Sequence, residues 1–262
     1  MPLPPPRALL LDFGGVIADG PIDPDWDLVV VETIAEVLAA AGAPPLPPER
    51  IRASLAAERT ESERFWLAEA PTQPDHASFW GELVAGDWPA PARAAVIAQA
   101  PALSYRYMDA WLRDWQPRPG MPELLADAEA HGLPVAIVSN TLCGEPHRQF
   151  LDRVGLTGRF AVQLYSDEHG IRKPNPAFAR RAVTALGVPA EACWFVGDTL
   201  SRDILVARRA GLGAAILMRS LRAEPDPGLA AVVQPDAVVA DPVELHALLK
   251  VHRVDSPVAD SR

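Results

Sequence analysis

A chain of 262 residues, 49% hydrophobic and 22% charged, has the core of one domain with a large insertion or of two modest domains, which excludes disorder as a whole. Its 17 glycines and 28 prolines fall short of a low-complexity share, and its two cysteines, Cys143 and Cys193, cannot build a disulfide framework. The net charge is −10, of which residues 19–118 carry −8 (16 acidic side chains against 8 basic), so binding driven by contacts to a nucleic-acid backbone is not expected.

Residues 1–11 hold one arginine and too short an apolar run for a signal peptide, and no stretch approaches the ~20 apolar residues of a membrane span. The expectation is a soluble cytoplasmic protein with neither membrane nor nucleic acid as partner, either a monomer or a homodimer. In chain order, apolar runs that read as strands lie at 8–12, 134–139, 161–165, 193–196, 214–218 and 237–240, separated by helical or loop sequence. That alternation predicts an α/β fold, a doubly wound parallel sheet with helices on both faces. About 120 residues separate the first two strands, where a simple strand–helix–strand unit takes roughly 30.

The excess is an insertion at 19–118. Val30, Ile34, Val37, Leu38 and Ala41 follow helical spacing, as do Leu103, Tyr107, Trp111 and Trp115, and proline clusters at 44–48, 71–74 and 89–91 cut the segment into successive helices. Six of the seven tryptophans lie there (Trp26, Trp66, Trp80, Trp88, Trp111 and Trp115) and are expected to fill a small helical bundle. The predicted domains are therefore an α/β core at 1–18 and 119–250, a helical cap at 19–118 and a flexible tail at 251–262.

The chemistry gathers at strand ends. The first strand runs into Asp12-Phe13-Gly14-Gly15-Val16-Ile17, which places a carboxylate at the carboxyl edge of a buried parallel strand, the edge where open α/β sheets bind ligands. The second ends in Ser139-Asn140-Thr141, the third is followed by Gly170-Ile171-Arg172-Lys173-Pro174-Asn175-Pro176, and the fourth runs into Gly197-Asp198-Thr199-Leu200-Ser201-Arg202-Asp203. Each alone reads as a cap or turn. Together they bring an aspartate, a hydroxyl, a lysine and paired aspartates to one edge. Carboxylates there suit a hard cation such as magnesium, the hydroxyl and ammonium suit phosphoryl oxygens, and Asp12 is left to attack phosphorus.

These four motifs, in this order, resemble the haloacid dehalogenase superfamily. Pro119-Gly120-Met121-Pro122-Glu123-Leu124-Leu125 and Gly-x-x-Lys-Pro-x-Pro resemble its branch with a helical cap inserted after the first motif. The resemblance implies Asp12 as nucleophile and Ser139, Asn140 and Lys173 as phosphate-binding residues. It further implies Mg2+ held by Asp12, Asp198 and the carbonyl of Gly14, with Asp203 orienting Lys173 or a metal-bound water. One departure stands out: members that act as phosphatases usually carry a second aspartate two residues after the nucleophile, and here that residue is Gly14.

Among the superfamily's reactions, Gly197-Asp198 speaks against a 2-haloacid dehalogenase, which needs no metal and carries a serine/asparagine loop there. The lack of lysine in 19–118 excludes the Schiff-base phosphonate hydrolases, and Gly14 counts against mutases. A magnesium-dependent hydrolase of a small phosphorylated metabolite remains, working through an aspartyl phosphate. The wording around the motifs resembles a branch containing sugar-1-phosphate phosphatases. The alternative is a catalytically degenerate binding protein of the same fold. Gly14 carries an expectation of its own: turnover is limited to leaving groups that depart without a proton, unless Asp19 supplies one.

Overall fold

In the computed structural model, which describes residues 3–21, 25–64, 68, 70–221 and 227–252, the apolar runs form one sheet. Its strands are β1 (Ala8–Leu11), β4 (Val135–Ser139), β5 (Val162–Tyr165), β6 (Cys193–Gly197), β7 (Ala214–Met218) and β8 (Ala237–Val239). A two-residue pair, β2 (Ala18–Asp19) and β3 (Gln116–Pro117), stands apart. The order across the main sheet is β5-β4-β1-β6-β7-β8, and every pairing in it is parallel.

Side chains alternate between the two faces, as the two-residue period of a strand requires. Leu9, Leu11, Val135, Ile137, Trp194 and Val196 pack on one face with Leu124, Leu125, Phe150, Leu151, Leu245 and Leu249 of helices. Leu10, Ala136, Val138 and Phe195 pack on the other with Phe178, Ala182, Val206 and Ala210. Burial on both faces explains why the strands read as unbroken apolar runs. From β1 the chain winds outward to β4 and β5, then returns to β6 on the other flank of β1. The carboxyl ends of β4, β1 and β6 are therefore neighbours at the point where the winding reverses.

The inserted segment is helical, with helices at Leu28–Ala40, Pro48–Arg64, Ala90–Ala98 and Ala100–Leu112, and a short helical turn at His76–Ser78 that widens into a π-turn at Phe79–Val84. Val30, Ile34, Leu38, Leu55, Phe79, Trp80, Trp88 and Leu103 form a second buried cluster, which Leu142 from the loop after β4 joins. Its two connections to the sheet pair with each other, Ala18 opposite Pro117 and Asp19 opposite Gln116, so the chain leaves and re-enters through one antiparallel ribbon.

Two expectations are corrected. Trp115 does not fill the helical bundle: the helix ends at Leu112, and Trp115 is buried in the sheet's core, its ring stacked on Phe13 at 6.3 Å between centroids. The last helix, Pro242–His252, takes in Val251 and His252 of the predicted tail; the rest of that tail, and Trp66, lie outside the described residues.

Candidate active site

Asp12 follows β1 directly, and its main-chain N–H donates to the Val196 carbonyl at 2.9 Å, which ties the start of the loop to the neighbouring strand. Ser139 is the last residue of β4, Asp198 the first after β6, and Asp203 sits in a π-turn at Leu200–Ile204. Lys173 comes from beyond the outermost strand, β5, and must reach back across β4. Asn140 brings it there: its side chain accepts from the Lys173 N–H at 2.8 Å and donates to the Lys173 carbonyl at 3.0 Å. Both ends of the Asn140 side chain are thus used in holding the lysine, and its main chain is what it can offer an anion.

The lysine ammonium is 1% exposed and stands between two carboxylates, 2.7 Å from Asp12 Oδ1 and 2.6 Å from Asp203 Oδ1. Asp203 is held on its other oxygen as well, where Oδ2 accepts from the Thr199 N–H at 3.0 Å and the Thr199 hydroxyl at 2.6 Å. Asp12 Oδ1 also accepts from the Phe13 N–H at 2.7 Å, which fixes the rotation of the carboxylate. Oxygens of Asp12, Asp198 and Asp203 all lie within 4.8 Å of one another.

Burial opposes ionisation of Asp203, but Lys173, Arg202 and the Thr199 bonds outweigh it, so its pKa lies below the ordinary carboxylate range. At Asp12 burial prevails over the attraction of Lys173 and the pKa is raised. Asp198 is pushed up to about 7, by burial first and then by the charges of Asp203 and Asp12. Three buried carboxylates beside one buried ammonium and the nearby charge of Arg202 form a hard, oxygen-lined cluster. That donor set fits a small divalent cation.

Gly15 shows how tightly the first loop lies on the fourth-motif loop. Its φ is +73°, and a Cβ there would come within 2.3 Å of Asp198 Oδ2. The Arg118 guanidinium donates to the Gly15 carbonyl and also to those of Arg219 (2.9 Å) and Ala240 (3.1 Å). The insertion touches the same region: Thr72 bridges Ile171, the Gln73 N–H donates to the Gly170 carbonyl at 3.1 Å, and Gln73 Oε1 lies 2.9 Å from the Ser166 hydroxyl.

Asp12, Lys173, Asp198 and Asp203 are therefore brought together, with buried Ser139 on the adjacent strand end. Asp19 lies in the ribbon, where its carboxylate accepts from the Gly20 N–H at 2.9 Å. Motif spacing gave no signal for Thr199, Arg118, Gln73 or the grip of Asn140 on Lys173. Each acts across loops far apart in sequence, except Thr199, which lay unremarked inside a motif. No helix among the described residues is long and apolar enough to cross a membrane.

A family model described as haloacid dehalogenase-like hydrolase matches residues 6–211. The chain is 35% identical over 166 residues to a phosphoserine phosphatase of Thermus thermophilus, a match covering 59% of this chain and 64% of that protein. It thus spans just under two thirds of that relative, and about half of two others. With a phosphoglycolate phosphatase of Xanthomonas campestris it shares 28% identity over 243 residues, covering 92% of this chain and 95% of the other. Among solved structures, a 2-haloacid dehalogenase from Pseudomonas syringae superposes with a TM-score of 0.60 at 20% identity, covering 94% of this chain and 99% of that one. At that identity the likeness is one of fold.

Proposed function

The chain belongs to the haloacid dehalogenase-like hydrolases, and from that premise we propose that it hydrolyses a small phosphomonoester through a phosphoryl-Asp12 intermediate, with Mg2+ as cofactor. One observation carries this reading: the buried Lys173 ammonium is shared between Asp12 and Asp203 beside Asp198. A lysine so placed has two uses. Asp203 holds it in position, and its remaining donor capacity neutralises a phosphoryl oxygen as Asp12 approaches phosphorus. Relatives named as phosphoserine and phosphoglycolate phosphatases support the reaction class.

Asp12, Asp198 and the Gly14 carbonyl would hold the cation, which when bound would neutralise charge on the phosphoryl group. Asp12 attacks phosphorus, and the P–O bond to the leaving group breaks. The Ser139 hydroxyl and Lys173 ammonium bind the equatorial oxygens. Water then cleaves the acyl phosphate and restores the carboxylate. The helical insertion, entered and left through the β2–β3 ribbon, closes over the site and excludes bulk water, with hinges at 18–21 and 116–120. Sugar phosphates are the substrates the motif wording favours.

The test is a panel of phosphomonoesters with magnesium, comparing the native protein with Asp12→Asn. Turnover by the native protein that Asp12→Asn abolishes, at equal folded content, is the expected result. No turnover of any ester, with retained binding of phosphate, would instead favour the degenerate binding protein that the glycine at position 14 allows.

A further inference from the structure

When a carboxylate displaces an ester oxygen from phosphorus, one P–O bond forms and another breaks, and the electron pair leaves on the ester oxygen. An alkoxide is a poor carrier of that charge unless a proton arrives with it, a contribution worth about 10²- to 10⁴-fold in rate. Two protic groups close to Asp12 are committed elsewhere: Lys173 is held between two carboxylates, and the Thr199 hydroxyl is spent on Asp203. Position 14 is the next residue after the nucleophile that is not fully buried, and it has no side chain.

The space beside it is tight. The Trp115 indole spans two glycines: a Cβ on Gly20 would stand 2.6 Å from its Cδ1, and a Cβ on Gly14 would stand 3.1 Å from Cη2 and 3.5 Å from Cζ3. The ring is 4% exposed and stacks on Phe13, so it is fixed in the core and cannot swing aside at little cost. At Gly14 it presents only carbon, the benzo edge of the indole.

We infer that Trp115 is a specificity-determining positioning residue. By holding an apolar ring edge in the space a side chain at position 14 would need, it keeps an acid away from the leaving group and restricts the site to phosphate esters with acidic leaving groups: aryl, acyl or anomeric. The leaving oxygen departs as the anion and takes its proton from water afterwards. This rests on the phosphatase reading above and narrows it to a substrate class.

The experiment measures kcat/KM with magnesium across phosphomonoesters from nitrophenyl phosphate to ethyl phosphate, in the native protein, Gly14→Asp, Trp115→Leu and the double variant. Leucine keeps the site apolar while withdrawing the far ring edge. The native protein and Trp115→Leu should prefer the aryl ester steeply. Gly14→Asp alone should not improve the alkyl-to-aryl ratio, whereas the double variant should raise it by about 10-fold or more. Thermal unfolding of the same four proteins supplies a readout independent of turnover: Gly14→Asp should cost much less stability in the Trp115→Leu background than in the native one.

A flat leaving-group dependence in the native protein overturns the inference and leaves the phosphatase reading standing. So does a rescue by Gly14→Asp alone as large as that of the double variant, or additive stability losses. No turnover of any ester in the series by the native protein removes the phosphatase reading and the inference with it.

Discussion

Replacing Asp203 by asparagine removes one of the two anions that flank the buried Lys173 ammonium, while keeping the size of the side chain. Taking away one partner of a buried ion pair costs about 3–5 kcal/mol. Two features of the site lower that figure. Lys173 keeps Asp12 at 2.7 Å, and loss of the Asp203 charge relieves a repulsion that raises the pKa of both Asp12 and Asp198. We therefore expect a loss of about 2–3 kcal/mol, or about 4–12 °C in Tm for a chain of this size. The assay is thermal and urea unfolding in chelator, with Glu168→Gln as control; Glu168 pairs with Arg148 at the surface, where an ion pair is worth about 1 kcal/mol or less. Turnover should fall as well, since a lysine drawn wholly to Asp12 both loses its aim and neutralises the nucleophile. An Asp203→Asn protein no less stable than the Glu168→Gln control would refute the reasoning that this pair organises the site.

Gly15→Ala should lower magnesium affinity by about 10-fold or more in calorimetric titration, because the left-handed backbone is strained by any side chain and the new methyl drives into Asp198; unchanged affinity would mean Asp198 is not a ligand. His147 is buried between Phe13 and Tyr165 and burial lowers its pKa from 6.5 to about 3. A depressed histidine costs nothing above pH 6.5, and below it the unfolded chain binds the extra proton, so stability falls as the pH drops. His147→Phe should remove about 2 kcal/mol of the loss between pH 6.5 and 5, measured by urea unfolding; parallel pH profiles would show that the histidine charges in place. Limited proteolysis should cut near 18–21 and 116–120, and more slowly with magnesium and aluminium fluoride; identical rates would argue against closure of the insertion.

What could be read from the sequence was what depends on local pattern. The strands were legible because a parallel strand buried on both faces is an apolar run, and they begin within a residue of expectation at Val135 and Val162. Asp12, Ser139, Lys173 and the paired aspartates could be grouped because strand ends in such a sheet share an edge. Trp115 was misread because its spacing from Leu103, Tyr107 and Trp111 continues the helical period past the point where the helix stops. Its true partner, Phe13, is about 100 residues away and leaves no local signal. The grip of Asn140 on Lys173 left no local signal either: its side chain is committed to the backbone of Lys173, 33 residues on, a contact made only once β4 and the loop after β5 are in place.

The central claim is that Asp12 becomes phosphorylated, and it is tested most directly by rapid quench during turnover of an acyl or aryl phosphate with magnesium, followed by borohydride reduction and peptide mass spectrometry. An acyl phosphate is reduced where a carboxylate is not, so residue 12 should be converted to homoserine, dependent on both substrate and magnesium. Steady turnover with the reduced residue at any other position, or with Asp12 never modified at the shortest quench times, would contradict it.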